Sequence, residues 1–398
     1  MSSRPQASSH DTLALTFLLG FLTALGPLST DLYLPSLPSI ARHFGATSGH
    51  AQLTLSVYLF GFAIGLPFYG PLSDRKGRKK VLLVGVFIYG LANILAAFAP
   101  NLDTLIACRL LQGFGAAGPL VIARAIVRDL YEGPRAAQQL ARMGSIMAIV
   151  PAIAPSFGVV LEHVAGWQAS FVATAFLAGG LALWAYLRLP ETLVERLLSP
   201  FRVSTILSGF GGLLQDRRFL PFGLLAATTH SGFFAFISGS SFVYQLHLGL
   251  SSFDFALAFT TVVLGYMGGS FTAQRIGMRH AAKRLMLIGT GFQATGGLAM
   301  LIGVLALPPS AWAFTLPMAI YAFGTGFSLP QAAANAMMPF PDRAGAVSSL
   351  LGMMQASVAA AVGAGVGAFI DRGPIVLAGT VAFFGLASLA LYPVLRKN

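Results

Sequence analysis

Long apolar runs alternate with short polar interruptions along nearly the whole chain. Twelve runs are long enough to cross a bilayer as helices: 12–40, 51–72, 80–99, 102–126, 139–161, 168–188, 219–245, 253–275, 284–307, 311–335, 344–369 and 374–395. About 20 apolar residues, rising about 1.5 Å each, span the hydrocarbon core. The interruptions carry turn or charge signals, such as Pro100-Asn101, Pro308-Pro309, Asp342-Arg343 and Arg372-Gly373-Pro374. The longest polar gap runs from about Pro190 to Arg218. The pattern predicts an all-α integral membrane protein with twelve transmembrane helices in two pseudo-symmetric six-helix halves. The first half is 1–189, the linker 190–218 and the second half 219–398.

Composition agrees. The 398 residues are 56% hydrophobic and 10% charged, with mean hydropathy +0.75. A soluble domain carries about 25% charged residues. The net charge of +12 invites a nucleic-acid reading, but its placement argues otherwise. With the N-terminus in the cytoplasm, 22 of the 25 Lys and Arg residues fall on cytoplasmic segments, Arg42 and Arg372 fall outside, and Arg109 lies within a span. Cations concentrate on the cytoplasmic side of membrane proteins. The alternation therefore supports an even span count with both termini inside, and needs no nucleic-acid partner. The first apolar run is too long for a signal-peptide core and reads as an uncleaved span. Cys108 is the single cysteine, so no intramolecular disulfide is possible.

The halves carry matching stripes of small residues. Gly144, Ala148, Pro151, Pro155 and Gly158 recur at helical spacing in span five; Gly345, Ser349, Gly352, Ala356, Ala360 and Gly363 do so in span eleven. Small stripes let transmembrane helices approach closely. Stripes half a chain apart point to a transporter built from two repeats.

Between spans two and three stands Gly70-Pro71-Leu72-Ser73-Asp74-Arg75-Lys76-Gly77-Arg78-Lys79-Lys80. Positive-inside placement explains the cations but not the spacing of Gly70, Asp74, Gly77 and Arg78. This segment resembles the signature loop of the major facilitator superfamily. Arg109-Leu110-Leu111-Gln112-Gly113-Phe114-Gly115 in span four resembles its second motif, and Pro151-Ala152-Ile153-Ala154-Pro155-Ser156-Phe157-Gly158 resembles its antiporter motif. Thr30-Asp31-Leu32-Tyr33-Leu34-Pro35-Ser36-Leu37-Pro38, Ile237-Ser238-Gly239-Ser240-Ser241-Phe242-Val243-Tyr244-Gln245 and Ala344-Gly345-Ala346-Val347-Ser348-Ser349-Leu350-Leu351-Gly352 resemble one subfamily, the bicyclomycin/chloramphenicol resistance (Bcr/CflA) drug:proton antiporters. The sequence departs from that pattern at Ser241, at Val159, and between spans eight and nine, where Gly277 and Arg279 have no acid matching Asp74. The resemblance implies a major facilitator fold in the bacterial inner membrane. It further implies export of chloramphenicol-, bicyclomycin- or sulfonamide-type drugs.

The residues themselves supply candidate chemistry. Ionisable side chains within a membrane are functional candidates by default. Asp31 lies about nine residues, roughly 14 Å, from the outer end of span one; Arg109 lies roughly 10 Å from the same side. The shared depth predicts a pair, direct or through water, with Gln112 one turn from Arg109. A buried carboxylate suits proton carriage, because burial favours its neutral form and a nearby cation its charged form. Asp31 and Arg109 are therefore the expected proton-coupling residues, and Gly70, Asp74, Gly77 and Arg78 the conformational latch. Tyr33, Tyr58, Gln112, His230, Phe233, Phe236, Tyr244 and Gln331 are candidate cavity residues, aromatic rings suiting flat apolar ligands. Gly144, Pro151, Pro155 and Gly158 form the packing motif.

No phosphate-binding loop and no metal-ligand spacing appears, which argues against an ATP-driven pump and an enzyme. The expectation is a monomeric, cofactor-free exporter driven by the proton gradient, with a small drug and protons as partners. A proton symporter or facilitator for a metabolite is the alternative; spans poor in Asn and Gln favour amphiphilic substrates.

Overall fold

The structure is a computed structural model and describes residues 9–195, 201–277 and 280–397. Arg4, Arg196 and Arg279 of the cation pattern lie outside the described residues. The helices in chain order are α1 (Ser9–Asp31), α2 (Leu37–His43), α3 (Ser48–Lys76), α4 (Arg78–Ala97), α5 (Leu102–Leu130), α6 (Gly133–Ala165), α7 (Gln168–Arg188) and α8 (Val203–Gln215). They continue with α9 (Leu220–Phe242), α10 (Ser252–Gly277), α11 (Ala282–Ala306), α12 (Trp312–Met337), α13 (Ala344–Phe369), α14 (Ile375–Ala390) and α15 (Tyr392–Lys397).

Among the described residues, eleven helical stretches are long and apolar enough to cross a membrane. The tenth expected span, α12, has 26 residues but is not among them. Its Trp, Pro, Tyr, Gln and Asn residues dilute an apolar helix of sufficient length. The turn signals act as side-chain caps. Asn101 Oδ1 accepts the Thr104 N–H at 2.8 Å and Thr47 Oγ1 accepts that of His50 at 3.2 Å.

Two spans are interrupted near the same face. The first does not continue as one helix to residue 40: α1 ends at Asp31, a 3-10 turn follows at Leu34–Ser36, and α2 resumes at Leu37. Pro35 lacks an N–H and disfavours the helical conformation of the residue before it. Asp31 therefore closes a helix instead of sitting inside one. After α9 the chain widens into a π-helical turn, Val243–His247. The expected polar linker also contains α8, whose Phe210 and Leu213 are buried against the second half.

The second span of each half packs on the fifth span of the other, α3 on α13 and α10 on α6. Within the halves, α5 packs on α3 and α4, and α11 on α12 and α14. The buried apolar core is divided by depth. One cluster joins both halves and includes Tyr33, Leu37, Leu105, Phe236, Phe255, Val366 and Leu377. Toward the face that carries the α3–α4 turn, called here the basic face, each half has its own cluster. The halves are thus sealed on one side and part toward the other.

That division corrects the packing motif. A Cβ on Gly158 would fall 2.0 Å from the Leu32 carbonyl oxygen, so glycine is required where α6 meets the end of α1. Pro155 is buried beside it and Pro151 half-buried. Gly144 and Gly345, in contrast, have nothing within 4 Å of a Cβ position. They stand at the basic ends, where the halves have separated, and mediate no close helix contact.

Candidate functional site

Arg109 is the centre of the first half. It sits on α5 with 0% exposure. Its Nε donates to the Thr54 carbonyl on α3 at 3.1 Å, and its Nη1 to the Ser29 carbonyl on α1 at 3.1 Å. Nη1 also donates to Gln112 Oε1. The guanidinium lies 4.4 Å from the Tyr58 ring centroid and 4.8 Å from that of Tyr33. Rings carry negative charge on their faces and so hold a cation. Three helices are thereby tied to one side chain. The tie extends through Gln112 Nε2, which donates to Asn93 Oδ1 at 2.7 Å, to Thr174 Oγ1, which donates to the same oxygen at 2.6 Å. Tyr33 and Tyr58 are themselves anchored, at Thr54 Oγ1 (2.8 Å) and the Gly26 carbonyl (2.9 Å).

Asp31 lies nearby on α1, 4% exposed, and accepts a hydrogen bond from Thr30 Oγ1 at 3.1 Å. Among the described residues no ion pair joins it to Arg109. Of the two arrangements expected, direct or through water, the direct pair is not the one formed. The guanidinium is instead turned to the carbonyls of Ser29 and Thr54, and Asp31 stands at the helix end. Arg109 Nη2 is buried with no hydrogen-bond partner. Asp31, two residues beyond the Ser29 carbonyl that Arg109 holds, and Arg109 are thus two buried ionisable side chains with no ion pair between them among the described residues. A crevice too tight for a water molecule runs along the site between Leu28, Ser29, Tyr33, Gln112, Phe171 and Thr174.

The second-half candidates divide. His230 and Phe233 are half-buried on α9, with rings stacked on Phe234 (6.4 Å) and Tyr266 (6.0 Å). Gln331 is half-buried on α12, its carbonyl accepting from Asn335 Nδ2 at 2.8 Å. Phe236 and Tyr244 are fully buried and line no open cavity here. They interlock with Phe255, Phe259 and Phe314, and the Tyr244 hydroxyl meets Thr315 Oγ1 at 2.7 Å. They belong to the sealed side, which is why they are packed.

The basic loop is a built network. Gly77 has φ +98°, the left-handed region that glycine tolerates, and its φ sets α4 back against α3. Arg78 pairs with Asp74 and, through Nε, with Asp129 Oδ2 at 2.9 Å. Its Nη1 reaches Ser73 Oγ at 2.7 Å. Glu191, following α7, accepts the Arg78 N–H at 2.9 Å and caps α4. A Cβ on Gly77 would fall 2.3 Å from Glu191 Oε2, so a larger residue would displace the Glu191 carboxylate from this turn. Gly70 lies along α5, 3.7 Å from Val121 by the same measure. Sequence reasoning missed Asp129 and Glu191. Their signal was an isolated acid beside a basic helix end.

Asp74→Asn leaves the Arg78–Asp129 pair in place, so the protein folds with a loss of about 1 kcal/mol or less. Transport slows several-fold while ligand affinity, measured by titration, stays near wild type. An equal loss of affinity would place Asp74 at the ligand.

A family model described as Major Facilitator Superfamily matches residues 19–364. The chain belongs to the major facilitator superfamily. Among curated members, it is 36% identical over 391 residues to an "Uncharacterized MFS-type transporter YdgK" of Bacillus subtilis (strain 168), covering 95% of this chain and 96% of that one. It is 31% identical to "Multidrug resistance protein D" of Escherichia coli (strain K12), covering 86% and 85%. It is 29% identical to a "Chloramphenicol resistance protein" of Pseudomonas aeruginosa, covering 88% and 83%. The last two names are of the kind implied by the motifs of this superfamily member. The fold is also that of the xylose transporter XylE from E. coli, with TM-score 0.76 at 12% identity over 98% of both chains.

Proposed function

We propose that this superfamily member exports small amphiphilic drugs across the bacterial inner membrane in exchange for protons, by alternating access. The observation that carries the reading is the burial of two ionisable side chains, Asp31 and Arg109, within the spans of the first half, with no ion pair between them among the described residues. A buried charge is expensive in a membrane and persists where it serves transport. The resistance-protein names of relatives support a drug as cargo.

In this reading the basic face is cytoplasmic, as the cation bias requires. Asp31 carries the proton, and Arg109 holds α1, α3 and α5 in register around it. Tyr33, Tyr58 and Gln112 shape the first-half wall; His230, Phe233 and Gln331 offer aromatic and polar contacts from the second. Phe236 and Tyr244 would reach the cargo only when the sealed side opens. The Asp74–Arg78–Asp129 network holds the end of α3 against α4 and α5 in the present state. The 190–218 segment then connects two moving halves.

The test is a drug-susceptibility panel in a pump-deficient bacterial host. Expression raises resistance several-fold to at least one chloramphenicol-, bicyclomycin- or sulfonamide-type compound, and collapse of the proton gradient removes the gain. Unchanged susceptibility across the panel, with gradient-driven uptake of a metabolite, would favour a symporter.

A further inference from the structure

Three side chains reach across the midline to a backbone carbonyl of the other half. Gln52 Nε2 on α3 donates to Gly363 on α13 at 2.9 Å. Gln245 Nε2, in the turn after α9, donates to Pro35 at 2.9 Å. Thr260 Oγ1 on α10 donates to Ala152 on α6 at 3.0 Å. The two amides lie on the sealed side, opposite the basic face, and neither carries charge.

The seam at Gln52 is unusually close. A Cβ on Gly49 would fall 2.5 Å from the Gly367 carbonyl oxygen, so the helix backbones nearly touch. Gln52 is 0% exposed, and its Oε1 is buried without a partner, as is Ser56 Oγ one turn along. A Cβ on Gly367 would lie 2.9 Å from that Oε1, and one on Gly363 2.8 Å from Ser56 Oγ. Both stranded atoms therefore face the opposing helix. Sealing this face forms neutral hydrogen bonds but strands two polar atoms, and opening gives those atoms water. A stranded polar atom costs at least as much as a neutral bond contributes. The stranded atoms therefore weaken the seal, which keeps it reversible.

Gln245 acts on the 3-10 turn that follows Asp31. Ser36 Oγ donates to Glu162 Oε2 at 2.9 Å, and Ser39 Oγ to Glu162 Oε1, so α6 fixes this turn to its own half. Gln245 grips the same turn from the other half. Glu162 ties the turn within its own half and Gln245 ties it across the midline.

We infer that Gln52 and Gln245 are positioning residues of the transport cycle, a neutral amide clasp that holds the face opposite the basic loops shut and lets go when it opens. The inference rests on the alternating-access reading, not on which cargo moves. Uncharged amides make the clasp itself insensitive to pH, leaving proton response to other groups.

The test uses the full chain in lipid nanodiscs without substrate, with Cys108→Ala and spin labels at Arg42→Cys and Arg372→Cys, both exposed on the sealed side. Gln52→Met and Gln245→Met keep length but cannot donate. Gln245→Met raises the population with a long inter-label distance about three- to tenfold, the scale of one neutral bond, and Gln52→Met, which removes the stranded Oε1 together with the donor, raises it by less. The increase is the same in acidic and alkaline buffer. An unchanged distance distribution in the double variant, or lost thermal stability with no population shift, overturns the clasp. Should the double variant fail to fold, Ser56→Cys within Gln245→Met gives a second reading. Its labelling by an impermeant thiol reagent from that face accelerates by a similar factor; an unchanged rate refutes the inference. Failure of the drug panel with a shifted distance distribution would sink the cargo reading and leave the clasp standing.

Discussion

Asp31→Asn abolishes export driven by an imposed proton gradient in proteoliposomes, bringing it to the level of protein-free vesicles. The amide preserves shape and can still accept the Thr30 hydroxyl through its carbonyl, so the fold is retained. What disappears is the ionisable carboxyl buried at the end of α1. Substrate binding is weakened but retained, because apolar contacts to the cavity wall remain. Gradient-driven export at the wild-type rate by this variant would leave a facilitator, or coupling at another group.

Arg109→Lys loses most transport although the charge is kept. An ammonium is a compact point charge without a planar fork. It cannot lie between the Tyr33 and Tyr58 rings while donating to Ser29, Thr54 and Gln112, which the guanidinium does at once. Transport falls by more than about tenfold, and thermal stability by about 1–3 kcal/mol for the hydrogen bonds lost. Near-normal transport by the lysine variant would mean that charge alone suffices and the three-helix tie is dispensable.

The spans were legible because a bilayer demands long apolar runs, and the cation alternation supports their parity independently. The break after Asp31 was written in Pro35 but not its position, because proline disturbs a helix over several preceding residues. The Arg109–Gln112 contact follows from one helical turn. What Arg109 does with its remaining donors does not, since Ser29 and Thr54 are brought to it by packing of α1 and α3 on α5. Asp129 and Glu191 are 51 and 113 residues from Arg78, and no local pattern joins them. Phe236 and Tyr244 have the composition of a ligand pocket and the surroundings of a core, because which side of a transporter is packed depends on its state. Gly144 and Gly345 show the same limit: they continue the stripes of Gly158 and Gly363 at helical spacing, yet only the latter two meet a neighbouring helix, because the seam is closed at one end only.

The most direct measurement of the central claim is proton release on substrate binding, followed with a pH indicator in weakly buffered detergent solution. If substrate and proton compete at Asp31, adding a drug identified by the susceptibility panel releases protons from the wild type and none from Asp31→Asn, although both bind. Equal proton release from the two proteins, or none from the wild type at saturating drug, would contradict exchange at Asp31.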